Sequence, residues 1–408
     1  MFSGKTFPDH SACVVPLLFQ RVVKTVNMKI SRIECISVNV PLKPELRTKT
    51  AHGEHVTSPY VIVRVHTDDG LCGLGEATVA PRWSGETSIG CVAAINGLIA
   101  PALIGEDATQ ITRLTAKMNR VIKLNPFMKS GIEMALWDLA GKAADVPVYQ
   151  LLGGRVRDSV PIKMVVGAFD VERSVALAER FLNDGVRCLK VKVGPNPEED
   201  IERVRAVRNC AGPEIPIGID ANCGWSVTQA GQMLRRLAEF DILFAEQPIP
   251  VENLADMPAL RRNSSIPIMA DESVFTVHDA WQVARSHAAD ILSVYPGKHG
   301  GIQATLEIAN IAKAAGIVCS MGSNLELGIA TAAMLHLGVA VPAIASELYP
   351  GDFIGPLYHE ADLLKKPLTL GPSAALVPDG PGLGVELDEV QLERYRDNST
   401  DFRAVSAS

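Results

Sequence analysis

Leu189-Lys190-Val191-Lys192-Val193, Gly218-Ile219-Asp220-Ala221-Asn222, Phe244-Ala245-Glu246-Gln247-Pro248, Met269-Ala270-Asp271-Glu272-Ser273 and Tyr295-Pro296-Gly297-Lys298-His299-Gly300-Gly301 share one layout. In each, a short apolar run gives way to a charged side chain. Lys192 to Asp220 is 28 residues, Asp220 to Glu246 is 26, Glu246 to Asp271 is 25 and Asp271 to Lys298 is 27. A period of about 26 residues is one strand–helix unit, and seven or eight such units close a barrel.

The same pattern extends outward in both directions. Apolar runs fall at 160–166, 188–193, 215–220, 242–246, 266–271, 291–295, 317–320 and 343–347, with helical stretches such as 171–183, 198–210 and 228–239 between them. Strands buried on both faces read as unbroken apolar runs, which predicts a parallel sheet. An open, doubly wound sheet usually opens on G-x-G-x-x-G. Here Gly73-Leu74-Gly75 lacks the third glycine, and Gly297-Lys298-His299 lacks the upstream glycine and the Ser/Thr of a phosphate loop. Gly322-Ser323-Asn324 is not a nucleophile elbow. The expected class is α/β, a barrel.

Upstream of residue 160 the periodicity is different. Residues 28 to about 75 read as strands, with Asp68-Asp69-Gly70 as a turn, and 41–59 reads as a long polar loop holding His52, Gly53 and His55. From about 86 to 150 the period is helical, with Ile132, Ala135, Leu136 and Leu139 on one stripe. This part is expected to be a separate α+β module. Residues 1–27 read as a dispensable extension or a start codon assigned too early, in preference to a targeting segment. Lys5 and the apolar stretch 13–19 lack a small-residue cleavage site before Arg21 and Lys24. The expected division is extension 1–27, capping module 28–155, barrel 156–348 and C-terminal segment 349–408.

The chain of 408 residues carries 39 basic and 46 acidic groups, a formal charge of −7. This balance argues against a nucleic-acid partner, and no apolar run reaches membrane-spanning length. Eight cysteines are scattered without C-x-x-C spacing, so reduced thiols in a cytoplasmic enzyme are expected.

Barrel chemistry sits where strands end. Asp220, Glu246 and Asp271 each close one of three successive strands, and three converging anions repel unless a cation lies among them. Oxygen ligands without His or Cys suit Mg²⁺ or Mn²⁺. A single acid would be read as a helix cap or a partner of a rim cation; three at matched spacing are not. Lys190 and Lys192, two apart on a strand, point the same way, inward at the mouth. Lys298 arrives from the opposite side. Neighbouring lysines, a divalent ion and desolvation depress a lysine pKa toward the range of a useful base.

These residues resemble those of the enolase superfamily, and within it the mandelate racemase/muconate lactonizing enzyme family, in its muconate cycloisomerase subgroup. The run Gly131-Ile132-Glu133-Met134-Ala135-Leu136-Trp137-Asp138-Leu139-Ala140-Gly141-Lys142, with Pro147 and Leu151-Leu152-Gly153-Gly154, is similar to the family's N-terminal signature. The resemblance spans about residues 28 to 390. It implies a (β/α)7β TIM-like barrel with an N-terminal α+β capping domain, a C-terminal segment that returns to the cap, and a homo-oligomer, from dimer to octamer. It further implies Asp220, Glu246 and Asp271 as ligands of Mg²⁺ (or Mn²⁺). Lys192 corresponds to the acid/base on one face and Lys298 to the opposite-face lysine. Lys190 corresponds to the lysine that holds the substrate carboxylate. Glu347 and Gly322-Ser323-Asn324-Leu325-Glu326 resemble the last two strand ends, with Glu347 a candidate substrate contact.

The chemistry implied is stabilisation of the enolate of a small-molecule carboxylate substrate. A muconate cycloisomerase-like lactonizing reaction is the first expectation, and a racemase or epimerase of an N-substituted amino acid or other alpha-substituted carboxylate the second. A Schiff-base aldolase on Lys190 or Lys192 is a remote third, because it leaves three carboxylates without a role. Lys49, His52, His55, Arg82 and Trp83 are candidate contacts to the distal part of the substrate. The run Ser346-Glu347-Leu348-Tyr349-Pro350-Gly351-Asp352-Phe353-Ile354-Gly355-Pro356 departs from the subgroup's T-E-L-F-G-P by an insertion.

Overall fold

The computed structural model describes residues 28–400; the 1–27 extension lies outside the described residues. The N-terminal sheet has three antiparallel strands in the order β1 (Ile30–Pro41), β4 (Thr57–Thr67), β5 (Cys72–Thr78). The helix Pro126–Ala144 lies across this sheet. A Cβ at Gly73 or Gly75 would run into the backbone carbonyls of Ala135 or Gly131, so these glycines serve close helix–sheet approach, not phosphate binding.

The polar stretch read as a loop contains a small hairpin, β2 (Thr48–Thr50) and β3 (Gly53–His55), before β4 begins at Thr57. Gly53, at φ +109°, closes its turn. Two three-residue polar strands carry too little alternation to be read from sequence.

Seven parallel strands follow: β7 (Met164–Val166), β8 (Leu189–Lys192), β9 (Ile217–Asp220), β10 (Ile242–Glu246), β11 (Ile268–Ala270), β12 (Ile291–Val294) and β13 (Val318–Met321). They hydrogen-bond in sequence order, so each strand neighbours the next. The run 160–166 is not one strand: β6 (Val160–Pro161) pairs antiparallel with β14 (Ala374–Ala375), and only β7 joins the barrel.

The run 343–347 is not a strand either. An irregular segment bridges the gap between β13 and β7. On one side Cys319 N–H donates to Ala343 O at 2.8 Å and Ala345 N–H to Cys319 O at 2.9 Å. On the other, Gly351 N–H donates to Pro161 O at 2.9 Å and Lys163 N–H to Gly351 O at 3.0 Å. Pro342 and Pro350 lack the N–H that a continuous ladder needs.

After this closure the chain returns to the N-terminal sheet. Asn39 N–H donates to Tyr395 O at 2.9 Å and Asp397 N–H to Ser37 O at 2.8 Å, while Arg64 meets Glu389 at 2.6 Å. A large apolar core packs the outward faces of the barrel strands against their helices, a small one of Phe244, Met269 and Ile291 lies inside the barrel, and another lies beneath the N-terminal sheet. Among the described residues, no helix is long and apolar enough to cross a membrane.

Candidate active site

Strand register brings the charged residues to one rim. Lys192 on β8 pairs with Asp220 on β9, and Asp220 pairs with Glu246 on β10. Glu246 is level with Met269 on β11, and Asp271 follows two residues later on the same side. Lys190 lies two residues before Lys192 and shares its inward face.

The contacts alternate in sign. Lys192 Nζ is 2.5 Å from Asp220 Oδ2 and 2.9 Å from Asn222 Oδ1. Lys190 Nζ is 2.9 Å from Glu246 Oε2, 2.7 Å from Asp352 Oδ2 and 3.7 Å from Asp220 Oδ2. Lys298 Nζ donates to Asp271 Oδ1 at 2.5 Å and to the carbonyls of Asp271 at 2.9 Å and Ser293 at 2.8 Å. All three acids are buried, and Lys298 is fully so. Sequence spacing therefore picked out six side chains that the fold brings to one place.

Burial opposes ionisation of these acids and the lysines oppose burial. For Asp271 burial wins: with Lys298 alongside but Glu272 and Glu246 adding negative charge, its carboxyl is pushed up to about 7. Asp220 is also raised by burial, against the pull of Lys192. Glu246 is resisted by burial, but Lys190, Lys163 and Lys192 together hold it down at about 2. Burial likewise disfavours charge on Lys190, yet Asp352, Glu246 and Asp220 outweigh it and hold the amine well above the usual lysine range.

As the side chains stand, no three His, Cys, Asp or Glu groups among the described residues converge with the geometry of a metal site. Each acid instead turns an oxygen to a lysine, which is what buried carboxylates do with the nearest cation. The donor set nonetheless fits a hard divalent ion. It is made only of oxygens, it comes from three adjacent strands, and all three carboxylates are buried.

Two residues were missed, Asp352 and its buried partner Lys163. Asp352 is 2% exposed and lies between Lys190, at 2.7 Å, and the buried Lys163, at 3.3 Å. Lys163 also donates to Pro350 O at 2.6 Å. The signal was present: Asp352 precedes Gly355-Pro356 by three residues, as the Glu of T-E-L-F-G-P precedes its Gly-Pro. Glu347, the sequence-based choice, is a correction. Its side chain is 56% exposed, pairs with Arg157 at 2.5 Å, and lines neither cavity of the site. The insertion displaces the acid by five positions, so counting from the end of an expected strand selected the wrong one.

Two cavities flank the charged rim. One, of about 320 Å³, is lined by Lys190, Lys192, Asn222, Asp352, Asn324 and the hairpin residues Thr50, His52, Gly53, Glu54 and His55. The other, of about 1100 Å³, is lined by Lys298, His299, Glu272, Phe275 and Lys129. His52, Arg82 and Trp83 face both. His52 packs edge-on to Trp83 at 5.4 Å, its Nε2 is 3.5 Å from Glu272, and Arg82 donates to its carbonyl. His55 Nε2 lies 2.7 Å from Ser58 Oγ, and burial, aided by Lys192 and Arg82, lowers its pKa and favours the neutral ring. Lys49 is exposed and lines neither cavity, because the alternation of β2 turns it outward. His299 is buried with Nδ1 3.0 Å from Phe275 O.

Residues 32–153 match the model for the mandelate racemase/muconate lactonizing enzyme N-terminal domain, and residues 173–391 match that for the enolase C-terminal domain-like family. The chain is 36% identical over 372 residues to muconate cycloisomerase 1 of Pseudomonas putida, covering 90% of this chain and 98% of that one. Among solved structures, it is similar to the muconate lactonizing enzyme from Pseudomonas fluorescens complexed with muconolactone. There the TM-score is 0.86 and the identity 35%, over 91% of this chain and all of that one. The N-succinyl Arg/Lys racemase from Bacillus cereus gives a TM-score of 0.87 at 30% identity, over 90% and 98%.

Proposed function

The chain belongs to the mandelate racemase/muconate lactonizing enzyme family of the enolase superfamily, and on that premise we propose that it is a metal-dependent isomerase that passes through the enolate of a small carboxylate substrate. The observation that carries this reading is the set of three lysine–carboxylate contacts, Lys192–Asp220, Lys190–Glu246 and Lys298–Asp271, at 2.5 to 2.9 Å. Asp220, Glu246 and Asp271 would hold a divalent cation, Mg²⁺ in preference to Mn²⁺. When bound, it supplies positive charge at the substrate carboxylate, where the enolate's charge develops.

The remaining roles belong to this chain's own side chains. Lys190, kept protonated by Asp352 and Glu246, holds the substrate carboxylate. Lys192 and Lys298, which open on different cavities, stand on the two faces of the alpha carbon. The hairpin with His52 and His55, together with Arg82 and Trp83, covers the distal part of the substrate and excludes water.

The first reaction proposed is cycloisomerisation of a muconate-like diacid. One carboxylate oxygen adds to the diene, forming a C–O bond, and the electron pair moves to the carbon alpha to the other carboxylate. The ammonium of Lys192 then delivers a proton to that carbon and is left neutral. Racemisation of an N-substituted amino acid is the second reading. It is favoured by the burial of Lys298 at a second cavity, since a return of the proton from the far face needs a second lysine. A cytoplasmic location belongs to the same proposal, supported by seven free cysteines among the described residues, as does the homo-oligomer that the family resemblance implies.

The test is incubation with Mg²⁺ in D₂O of cis,cis-muconate and, separately, of N-succinyl amino acids. Loss of diene absorbance with lactone formation establishes cycloisomerisation. Alpha-deuteration with inversion establishes racemisation. Turnover unaffected by chelator, with an adduct trapped by borohydride, would overturn both in favour of an aldolase.

A further inference from the structure

Glu133 is a fully buried acid with no part in the chemistry above. It sits on the helix Pro126–Ala144, in the N-terminal part of the fold, but its carboxylate reaches into the barrel. Oε2 accepts the backbone N–H of Ile302 at 2.7 Å and Oε1 that of Gln303 at 2.9 Å. Trp137 Nε1–H donates to Oε1 at 2.8 Å. Ile302 and Gln303 open the helix Ile302–Ala314, and the residues just before them are the short helix Pro296–His299, which carries Lys298, and the glycines 300 and 301.

Two features show that the turn bearing Lys298 is seated on this helix. Gly301 has φ +138°, and a Cβ there would collide with the Glu133 carboxylate, so the turn closes directly on the acid. A Cβ on Gly297 would fall 2.9 Å from the Phe127 ring on the same helix. From the other side, Lys298 Nζ is held by Asp271 and Ser293. The backbone of the turn is thus fixed from outside the barrel and the amine from inside. Lys192, by contrast, lies within strand β8, whose backbone pairs with β7 and β9.

Resting on the reading that Lys298 serves one face of the substrate, we infer that Glu133 is a positioning residue for Lys298 and not for Lys192. A carboxylate at a helix N-terminus satisfies two otherwise orphaned N–H groups and complements the helix dipole. Here it also sets where the preceding turn stands, and a proton-transfer group displaced by about 1 Å loses on the order of a hundredfold in rate.

The experiment uses the full-length protein with Mg²⁺ and the variant Glu133→Gln, which keeps the shape but has one acceptor oxygen where the carboxylate has two. The probes are N-succinyl-L-arginine and N-succinyl-D-arginine in D₂O, followed by alpha-proton exchange. Lys192→Ala and Lys298→Ala assign each enantiomer to its lysine. Glu133→Gln is expected to slow exchange on the Lys298 face by about a hundredfold while the Lys192 face changes by less than about threefold, within the reach of an ordinary surface-scale perturbation. Equal losses on both faces, or none, overturn the inference. Amide hydrogen exchange supplies a readout that needs no substrate. Residues 296–303 should exchange faster in Glu133→Gln and residues 189–193 should not. Uniform or unchanged exchange overturns the inference. If the wild type exchanges neither probe, the racemase reading fails and the amide data still decide the role of Glu133.

Discussion

Lys192 Nζ lies 2.5 Å from Asp220 Oδ2, and the two residues are register partners in the β8–β9 ladder. The acid/base candidate and the first candidate ligand are therefore fixed relative to one another by backbone hydrogen bonds. Lys192→Ala should lower turnover by about 10³, in the range of a lost general acid or base, while the far-UV circular dichroism stays that of the wild type. Lys192→Arg should not rescue it, because guanidinium does not give up its proton near neutral pH. Turnover above a tenth of wild type in either variant contradicts the assignment.

Asp352 compensates two buried amines, Lys190 at 2.7 Å and Lys163 at 3.3 Å. Asp352→Ala leaves both without it and should cost about 3–5 kcal/mol, the range for a broken buried pair. The double variant Lys163→Met/Asp352→Asn should recover part of that loss. Glu347→Gln removes an exposed partner of Arg157 and should change stability by less than about 0.5 kcal/mol and leave kcat/KM at the wild-type level. Urea unfolding and steady-state kinetics read both. An Asp352→Ala protein as stable as the wild type, or a Glu347→Gln protein without activity, would reverse these placements.

Burial drives His336 down to about 4, from an ordinary value of 6.5. Its ring accepts the N–H of Tyr149 at 3.2 Å and faces Leu383 O at 3.2 Å. The folded state thus binds fewer protons than the unfolded chain between these two values. Stability is complete above pH 6.5 and falls as pH drops through 6.5 toward 4, by up to about 3 kcal/mol for this group. His359, also near 4 through burial, adds to the slope. Urea midpoints at pH 7, 5.5 and 4.5 should show the decline, and His336→Gln should flatten it. An unchanged slope in that variant removes His336 as a cause.

Much of the site was legible because a βα repeat converts even spacing in sequence into neighbouring positions on a rim. Lys190, Lys192, Asp220, Glu246, Asp271 and Lys298 follow from that regularity. It failed where the repeat ends. The eighth position of the barrel is filled by irregular backbone around Pro342 and Pro350, so no periodicity marked Asp352 and Glu347 was read in its place. The hairpin 48–55 escaped notice because its strands are short and polar. Lys163 escaped because a single buried lysine beside an apolar strand has no partner within its own segment, and Asp352 lies 189 positions later. Long-range pairing of this kind has no local signature.

Bound cation should also be visible as stability. At a concentration 100 times its Kd, Mg²⁺ should stabilise the protein by about 2.7 kcal/mol, and chelator should reverse the rise in Tm. Asp271→Asn should abolish the response. A Tm indifferent to Mg²⁺ in the wild type contradicts the donor set.

The most direct measurement is a crystal structure of the protein grown in Mg²⁺. A single octahedral ion is expected at about 2.1 Å from carboxylate oxygens of Asp220, Glu246 and Asp271. Lys192 and Lys298 are expected to be turned from those oxygens toward opposite sides of the space above it. Carboxylates still closed on the lysines at saturating Mg²⁺, with no density among them, would contradict this expectation.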